Sequence, residues 1–305
     1  MRGARPPAGR RIRATYQYGG GRQGNVPIGA INGSPDPRWP AGLKLSNPLA
    51  TWGGDEGETV AEAERNIPLV LRHRNRLVTK RDFAEVTRRI PGVDVGRVDV
   101  LPLFRPGGVD QADQDDAAGV VSLLVLPKFD PVSPLWPQPD RLFLQTVCDY
   151  LAPRRLVTTE LHVRGPVYVP IYLSVGVQIE GGHFPDLVLQ SVRERLNQSL
   201  SALRPSVLID EDGDGWPLRK ALMKKDLEAV VTRVSGVNFV NSMELGVQDQ
   251  RGIEDYPLAG LQLPKLVVLQ VREGQAESLT VVLEGVDSAA PHVDVFPVPV
   301  NRLNC

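Results

Sequence analysis

The stretch KRDFAEVTRRIPGV at residues 80–93 returns as KKDLEAVVTRVSGV at residues 224–237, 144 positions later (224 minus 80), and its reading sets the expected fold. In the first copy Phe83, Val86 and Ile90 fall at +3 and then +4, the spacing of one helical face. Leu227, Val230 and Val234 repeat it. Thr79 is placed to cap the first helix, and the Asp82 carboxylate favours its start. Gly92 and Gly236 then stop the two helices and hand over to Val93 and Val237. A helix that ends at glycine and feeds a valine-led strand is therefore expected once in each half. Either two α+β domains of related construction are present, or a common junction recurs by coincidence.

Working outward, residues 55–89 carry a helical pattern, acidic at first (Glu56, Glu58, Glu62, Glu64) and basic at its centre (Arg72-His73-Arg74-Asn75-Arg76). Strands are expected at 93–103 and 119–126, as a hairpin whose polar tip holds Asp110, Asp113, Asp115 and Asp116. Five prolines between Pro127 and Pro139 predict a stiff exposed loop, after which Asp140 caps a helix through Leu151. Residues 156–179 read as two strands broken at Gly165-Pro166. Pro185 opens a helix whose Val188, Val192, Leu196 and Leu200 share a face, with partner strands at 237–247 and 266–271.

The expected class is α+β: two small ferredoxin-like α/β sandwiches at 55–165 and 166–275, an extended Gly/Pro-rich arm at 1–54, and a C-terminal strand and tail at 276–305. With 305 residues, 42% of them hydrophobic, the chain can give both domains a core. The arm, with Gly19, Gly20, Gly21, Gly24, Gly29 and Gly33 among prolines, cannot, and is expected to lie against another subunit or another part of a larger protein. A net charge of -1 supplies no overall field for nucleic acid or an anionic membrane. No apolar run approaches the roughly 20 residues of a membrane helix, and the basic N-terminus is not followed by a signal-like core. Two cysteines, Cys148 and Cys305, make no disulfide framework or zinc site, which fits a reducing cytoplasm. Cys148, in register with Leu144 and Leu151, reads as a buried apolar side chain.

Convergent chemistry is not apparent in the sequence. His73, His162, His183 and His292 are scattered without an acidic or cysteine partner at ligand spacing. The Gly-x-Ser-x-Gly elbow and the phosphate loop ending in Gly-Lys-Ser or Gly-Lys-Thr are both missing. Gly19-Gly20-Gly21-Arg22-Gln23-Gly24 lacks the following helix that would receive a phosphate and reads as a turn. Asp210-Glu211-Asp212-Gly213-Asp214-Gly215 matches positions 1, 3, 5 and 6 of a calcium loop, but Ala221 replaces the bidentate glutamate at position 12. A solvated acidic turn is expected there; a calcium-dependent binding module using Asp210, Asp212 and Asp214 is the alternative function. The basic clusters 72–81 and 219–225 lack interleaved aromatics and read as salt-bridged helix faces or contacts to acidic neighbours. Catalytic residues, cofactor and metal are all expected to be none.

The order of motifs supplies a resemblance. Tyr16-Gln17-Tyr18-Gly19-Gly20-Gly21, Gly24-Asn25-Val26-Pro27, Asn47-Pro48-Leu49-Ala50, Gly53-Gly54 and Glu58-Thr59 come first, followed by Arg72 through Thr79 with Asp82-Phe83. Tyr150-Leu151-Ala152-Pro153-Arg154-Arg155 with Thr158-Thr159, then Val167-Tyr168-Val169-Pro170-Ile171 and Gly213-Asp214-Gly215-Trp216-Pro217 complete the series. Together these resemble the baseplate J-like, or putative baseplate assembly, proteins over about residues 12–247. The resemblance implies a non-enzymatic wedge subunit of a contractile phage tail, tail-like bacteriocin or extracellular injection system, assembled from the cytoplasm into a phage-tail-like particle. Its implied partners are other wedge subunits, the central hub or spike and the sheath, in a hetero-oligomeric ring, with no nucleic acid and no membrane insertion. The chain is short at its N-terminus, where many relatives carry further domains. The expected contact elements are the arm, the 127–139 loop and the tail at 291–305.

Overall fold

The computed structural model describes residues 9, 11, 13, 20–34, 38, 44–47, 50–51, 53–107, 112–130, 133–203, 215–248 and 250–282. They fall into two units, Met1–Ile67 and Pro68–Cys305. The tail at 291–305, the acidic stretch 210–214, Asp110 and His292 lie outside the described residues.

In the first unit no described residue is buried. Side chains standing in for a strand ladder hold it together. Asn25 Nδ2 donates to the Gly54 carbonyl (3.0 Å) while Asn25 Oδ1 accepts from the Gly54 amide (2.9 Å). Asn47 does the same at Pro27 and Ile31. Thr51 closes on Val26: its amide donates to the Val26 carbonyl at 2.9 Å, and its hydroxyl accepts from the Val26 amide at 2.7 Å. Gly54 is needed because a Cβ there would stand 2.4 Å from the Gly21 carbonyl oxygen. Helix α1 (Val60–His73) starts five residues later than the 55–89 pattern suggests. Thr59 and Glu62 form a reciprocal cap that fixes its first turn: the Glu62 carboxylate accepts from the Thr59 amide at 2.9 Å, and the Thr59 hydroxyl accepts from the Glu62 amide at 3.3 Å.

The second unit is α+β. Helix α2 (Lys80–Thr87) begins at a capping box between Thr79 and Asp82, and strands β1 (Val95–Pro102) and β2 (Val120–Pro127) form the expected antiparallel hairpin. Asp140 caps α3 (Arg141–Leu151) by accepting from the Phe143 amide at 2.7 Å. Strand β3 (Glu160–Arg164) then lies parallel to β2, and β4 (Val167–Ile179) starts after Gly165-Pro166. Helix α4 (Pro185–Leu200) buries Val188, Val192, Leu196 and Leu200, the four positions its spacing selects. Next come β5 (Leu222–Met223), α5 (Lys224–Thr232), β6 (Val237–Val247), β7 (Gln250–Arg251), β8 (Asp255–Tyr256) and β9 (Gln262–Glu273).

One sheet has the order β1-β2-β3 and the other β7-β6-β4-β9, with β5 and β8 as a separate two-residue pair. Each sheet has one parallel pair, β2 with β3 or β4 with β9, and otherwise antiparallel neighbours. The repeated motif does fold alike. Each helix is followed by a turn that carries a glycine of positive φ, 71° at Gly92 and 89° at Gly236, and α2 rests on β1 as α5 rests on β6.

Two apolar clusters fill this unit. Phe83, Val86, Ile90, Leu123, Val125, Phe143, Val147, Cys148 and Leu151 build the smaller one between β1-β2-β3 and helices α2 and α3. The larger surrounds β4 and α4 and also receives Leu101, Phe104, Leu124 and Leu126 from the first sheet. Since successive strand side chains point to opposite faces, β2 sends Leu123 and Val125 one way and Leu124 and Leu126 the other. That is why its sequence is apolar apart from Ser122.

Candidate functional site

Motif residues far apart in the sequence meet at three joints. The first is the glycine turn at Gly21–Gly24, where the Glu56 carboxylate accepts from the Arg22 amide at 3.0 Å. An anion could be cradled by such a turn, but the chain's own carboxylate occupies it. The second joins Arg72–Thr79 to Tyr150–Arg155. Arg74 (φ 47°) and Asn75 (φ 60°) turn the chain out of α1, and Asn75 Oδ1 accepts from Arg154 Nε at 2.8 Å. The Arg154 guanidinium lies 3.7 Å from the Tyr150 ring centroid, and the Leu77 amide donates to the Arg154 carbonyl at 2.9 Å. At the third joint the Trp216 amide donates to the Ser201 carbonyl at 2.9 Å, and its indole donates to Lys220 at 3.3 Å. Gly215 is required there, with φ of 91° and a Cβ position 2.5 Å from the Ala202 carbonyl oxygen.

The basic clusters are largely matched by neighbouring carboxylates. Arg72 and Arg81 both reach Glu85, at 2.7 and 2.6 Å. Arg219 bonds Asp115 at 2.8 Å and lies over Phe104, Lys220 pairs with Asp226 at 3.0 Å, and Lys224 with Glu254 at 2.9 Å. The 127–139 loop is fastened from within: Asp130 accepts from the amides of Ser133 and Gln138, and the buried Pro137 carbonyl accepts from the Tyr168 hydroxyl at 2.9 Å. Burial raises the Tyr168 phenol well above its ordinary pKa of 10. Phe129 and Leu135 of the same loop remain exposed.

Sequence reasoning missed two buried polar features. Arg97, 1% exposed, binds Asp99 through Nε at 2.6 Å and the Ala202 carbonyl through Nη1 at 2.8 Å. His162, read above as lacking an acidic partner, has one: its Nε2 lies 2.9 Å from Glu160 Oε1, and Glu160 Oε2 accepts from Arg105 at 2.6 Å. Residues i and i+2 of a strand share a face, so the spacing held this signal. His183 lies 3.9 Å from Glu180 in an exposed pair, and His73 Nδ1 accepts from the Asn75 amide.

Burial pulls the His162 imidazole below its ordinary 6.5, against the opposing pull of Glu160. Desolvation pushes the Glu160 carboxyl up, but the bonds from His162 and Arg105 outweigh it and leave Glu160 below its usual range. The folded state therefore keeps His162 neutral where the unfolded chain takes a proton. Its contribution to stability is complete above the unfolded value of 6.5 and is lost as pH falls through the lower folded pKa. Melting temperatures between about pH 8 and about pH 5 should fall more for the wild type than for His162→Gln; parallel curves would remove His162 as the titrating group.

Among the described residues, no group of three histidines, cysteines or acids could hold a metal ion, and no helix is long and apolar enough to cross a membrane. Comparison with protein-family models found no match, and no curated protein matches the chain. Among solved structures, a chain in the cryo-EM structure of the anti-feeding prophage (AFP) baseplate, 6-fold symmetrised, is similar to it with 20% sequence identity and a TM-score of 0.46. The similarity covers 73% of this chain and 45% of that one, so the chain spans less than half of that protein's length.

Proposed function

We propose that the chain is a structural wedge subunit of the baseplate of a contractile injection machine or phage-tail-like particle. In this reading it joins neighbouring wedge subunits into a hetero-oligomeric ring around the central spike, beneath the sheath, and repacking of its contacts couples triggering to contraction. The observation that carries the reading is the ordered motif series from Tyr16 to Trp216-Pro217. The places of these residues support it. Asn25, Asn75, Arg154 and Trp216 brace joints between distant segments. Residues 20–57 bury nothing among their described positions, which suits an element that gains its burial from a neighbour. Residues 55–165 and 166–275 are taken as the two wedge domains, and the arm, the 127–139 loop and the tail as contacts.

Deletion of the gene tests this. Negative-stain imaging of purified particles should show loss of intact sheathed particles, restored by the full chain but not by a chain lacking residues 1–54. Normal contractile particles in the deletion strain would overturn the proposal.

A further inference from the structure

After β9 the chain turns back over the second sheet as a strap, residues 274–282, and the face beneath it is polar. Ser174 of β4 stands in register with Glu244 of β6 and with Gln270 of β9, so three polar side chains form one row across three strands. Ser174 shares its face with Gly176, two residues on, and Gly176 is seated directly beneath Gly274 and Ala276. Both neighbours of Ser174 are bound to the strap: Glu244 Oε2 accepts from the Leu279 amide at 2.9 Å, and Gln270 Nε2 donates to Glu277. Ser174 itself is fully buried, and among the described residues neither its hydroxyl nor Gln270 Oε1 has a hydrogen-bond partner. A buried hydroxyl without a partner has lost its bonds to water and gained none in return, so seating the strap carries a cost that lifting it removes.

The strap is held more lightly than a strand. Among the described residues its one backbone-to-backbone bond to the sheet is at its start, from the Gly274 amide to the Val177 carbonyl. Beyond that point side chains hold it: Asn241 on the Gly274 carbonyl, Ser242 on the Ala276 amide, Glu244 on the Leu279 amide, and Gln270 and Arg272 on Glu277. Of its side chains only that of Leu279 is buried; Val281 is 53% exposed. Gly274, with φ of 90° and open space around its Cβ position, is a ready pivot.

We propose that residues 274–282 are a reversible latch, which lifts from the β6-β4-β9 face as a unit while the sheet stays folded. Closing buries Leu279 and strands the Ser174 hydroxyl; opening exposes Leu279 and returns Ser174 and Gln270 to water. The two opposing terms keep the closed state close to the open one, and opening frees the point from which the chain continues beyond Val282. This inference rests on the strap and the sheet alone and not on the baseplate reading.

Hydrogen exchange of the full chain, read by mass spectrometry at rising urea, tests it. Peptides covering 274–282 should exchange through an opening that urea hardly changes, because little surface is exposed, while peptides covering 171–177 should need an opening that urea strongly promotes. Ser174→Ala removes the stranded hydroxyl and should slow exchange of the strap about tenfold. In a Leu279→Glu chain, whose anchor cannot seat, adding Ser174→Ala should change neither exchange nor melting temperature. Strap and sheet exchanging together with one urea dependence, a Ser174→Ala strap that exchanges as fast as the wild type or faster, or an equal gain from Ser174→Ala in both backgrounds would each overturn the proposal.

Discussion

Asp99→Ala should destabilise the fold by about 3–5 kcal/mol, because it leaves the Arg97 guanidinium buried without its counter-charge. Arg97 stands on β1, within a unit whose surroundings are apolar, and is 1% exposed. Its Nε–H is answered by Asp99 and its Nη1–H by the Ala202 carbonyl, 105 residues away, so one side chain ties β1 to the chain just beyond α4. The Arg97 side chain is 2% exposed and that of Asp99 28%, so the guanidinium is enclosed while the carboxylate borders solvent. The charge, more than the lost bond, sets the cost. Arg97→Met combined with Asp99→Leu removes both charges while keeping similar volume, and should cost less than Asp99→Ala alone. Urea denaturation of the wild type and the variants checks this. A loss under about 1 kcal/mol for Asp99→Ala would show that the guanidinium finds water or another acceptor.

Gly176→Val should be nearly as damaging, at about 3–4 kcal/mol, from overpacking together with lost apolar burial. Gly176 lies mid-strand in β4, and a Cβ there would stand 2.3 Å from both the Ala276 amide nitrogen and the Gly274 carbonyl oxygen. The segment crossing above it is fastened at several points. The Gly274 amide donates to Val177 at 2.9 Å, Asn241 donates to the Gly274 carbonyl at 2.8 Å, and the Ala276 amide donates to Ser242 at 2.7 Å. Beyond them the Leu279 amide donates to Glu244 at 2.9 Å, and the Leu279 side chain is fully buried. A valine at 176 forces this strap off the sheet and takes Leu279 with it. Hydrogen exchange should therefore quicken at Gly274, Ala276 and Leu279 before the rest of the unit unfolds. Unchanged protection at those amides would show that the strap adjusts without detaching.

Both predictions concern residues that local patterns do not single out. Arg97 occupies a position in Val95-Gly96-Arg97-Val98-Asp99-Val100 where a charged side chain usually faces water, and its burial depends on a segment about a hundred residues further on. Gly176 looks like any strand glycine until the chain returns over it at 274–276. The His162–Glu160 pair is an intermediate case. Its spacing is visible in Glu160-Leu161-His162, but its desolvation is not, and desolvation is what moves the imidazole.

The α5 helix shows the same division on a small scale. Its apolar face and glycine stop match those of α2, yet Met223 stands where Thr79 caps α2. The missing cap is replaced from elsewhere in the fold: β5 pairs with β8, and the Lys224 amide donates to the Glu254 carbonyl at 2.9 Å.

The sequence by itself determined what short-range forces decide: where α2 to α5 lie, the faces that α2 and α4 bury, the turns at Gly92 and Gly236, the caps at Thr79 and Asp140, and the β1–β2 hairpin. Those features depend on contacts within a few residues, where side-chain spacing and backbone conformation leave one favourable arrangement. The tertiary structure alone decided the strand orders, the parallel pairings of β3 and β9, the burial of β2 on both faces and the enclosure of Arg97 and Gly176. Those features arise from segments up to about a hundred residues apart competing for the same apolar space, and no local pattern encodes which segment arrives.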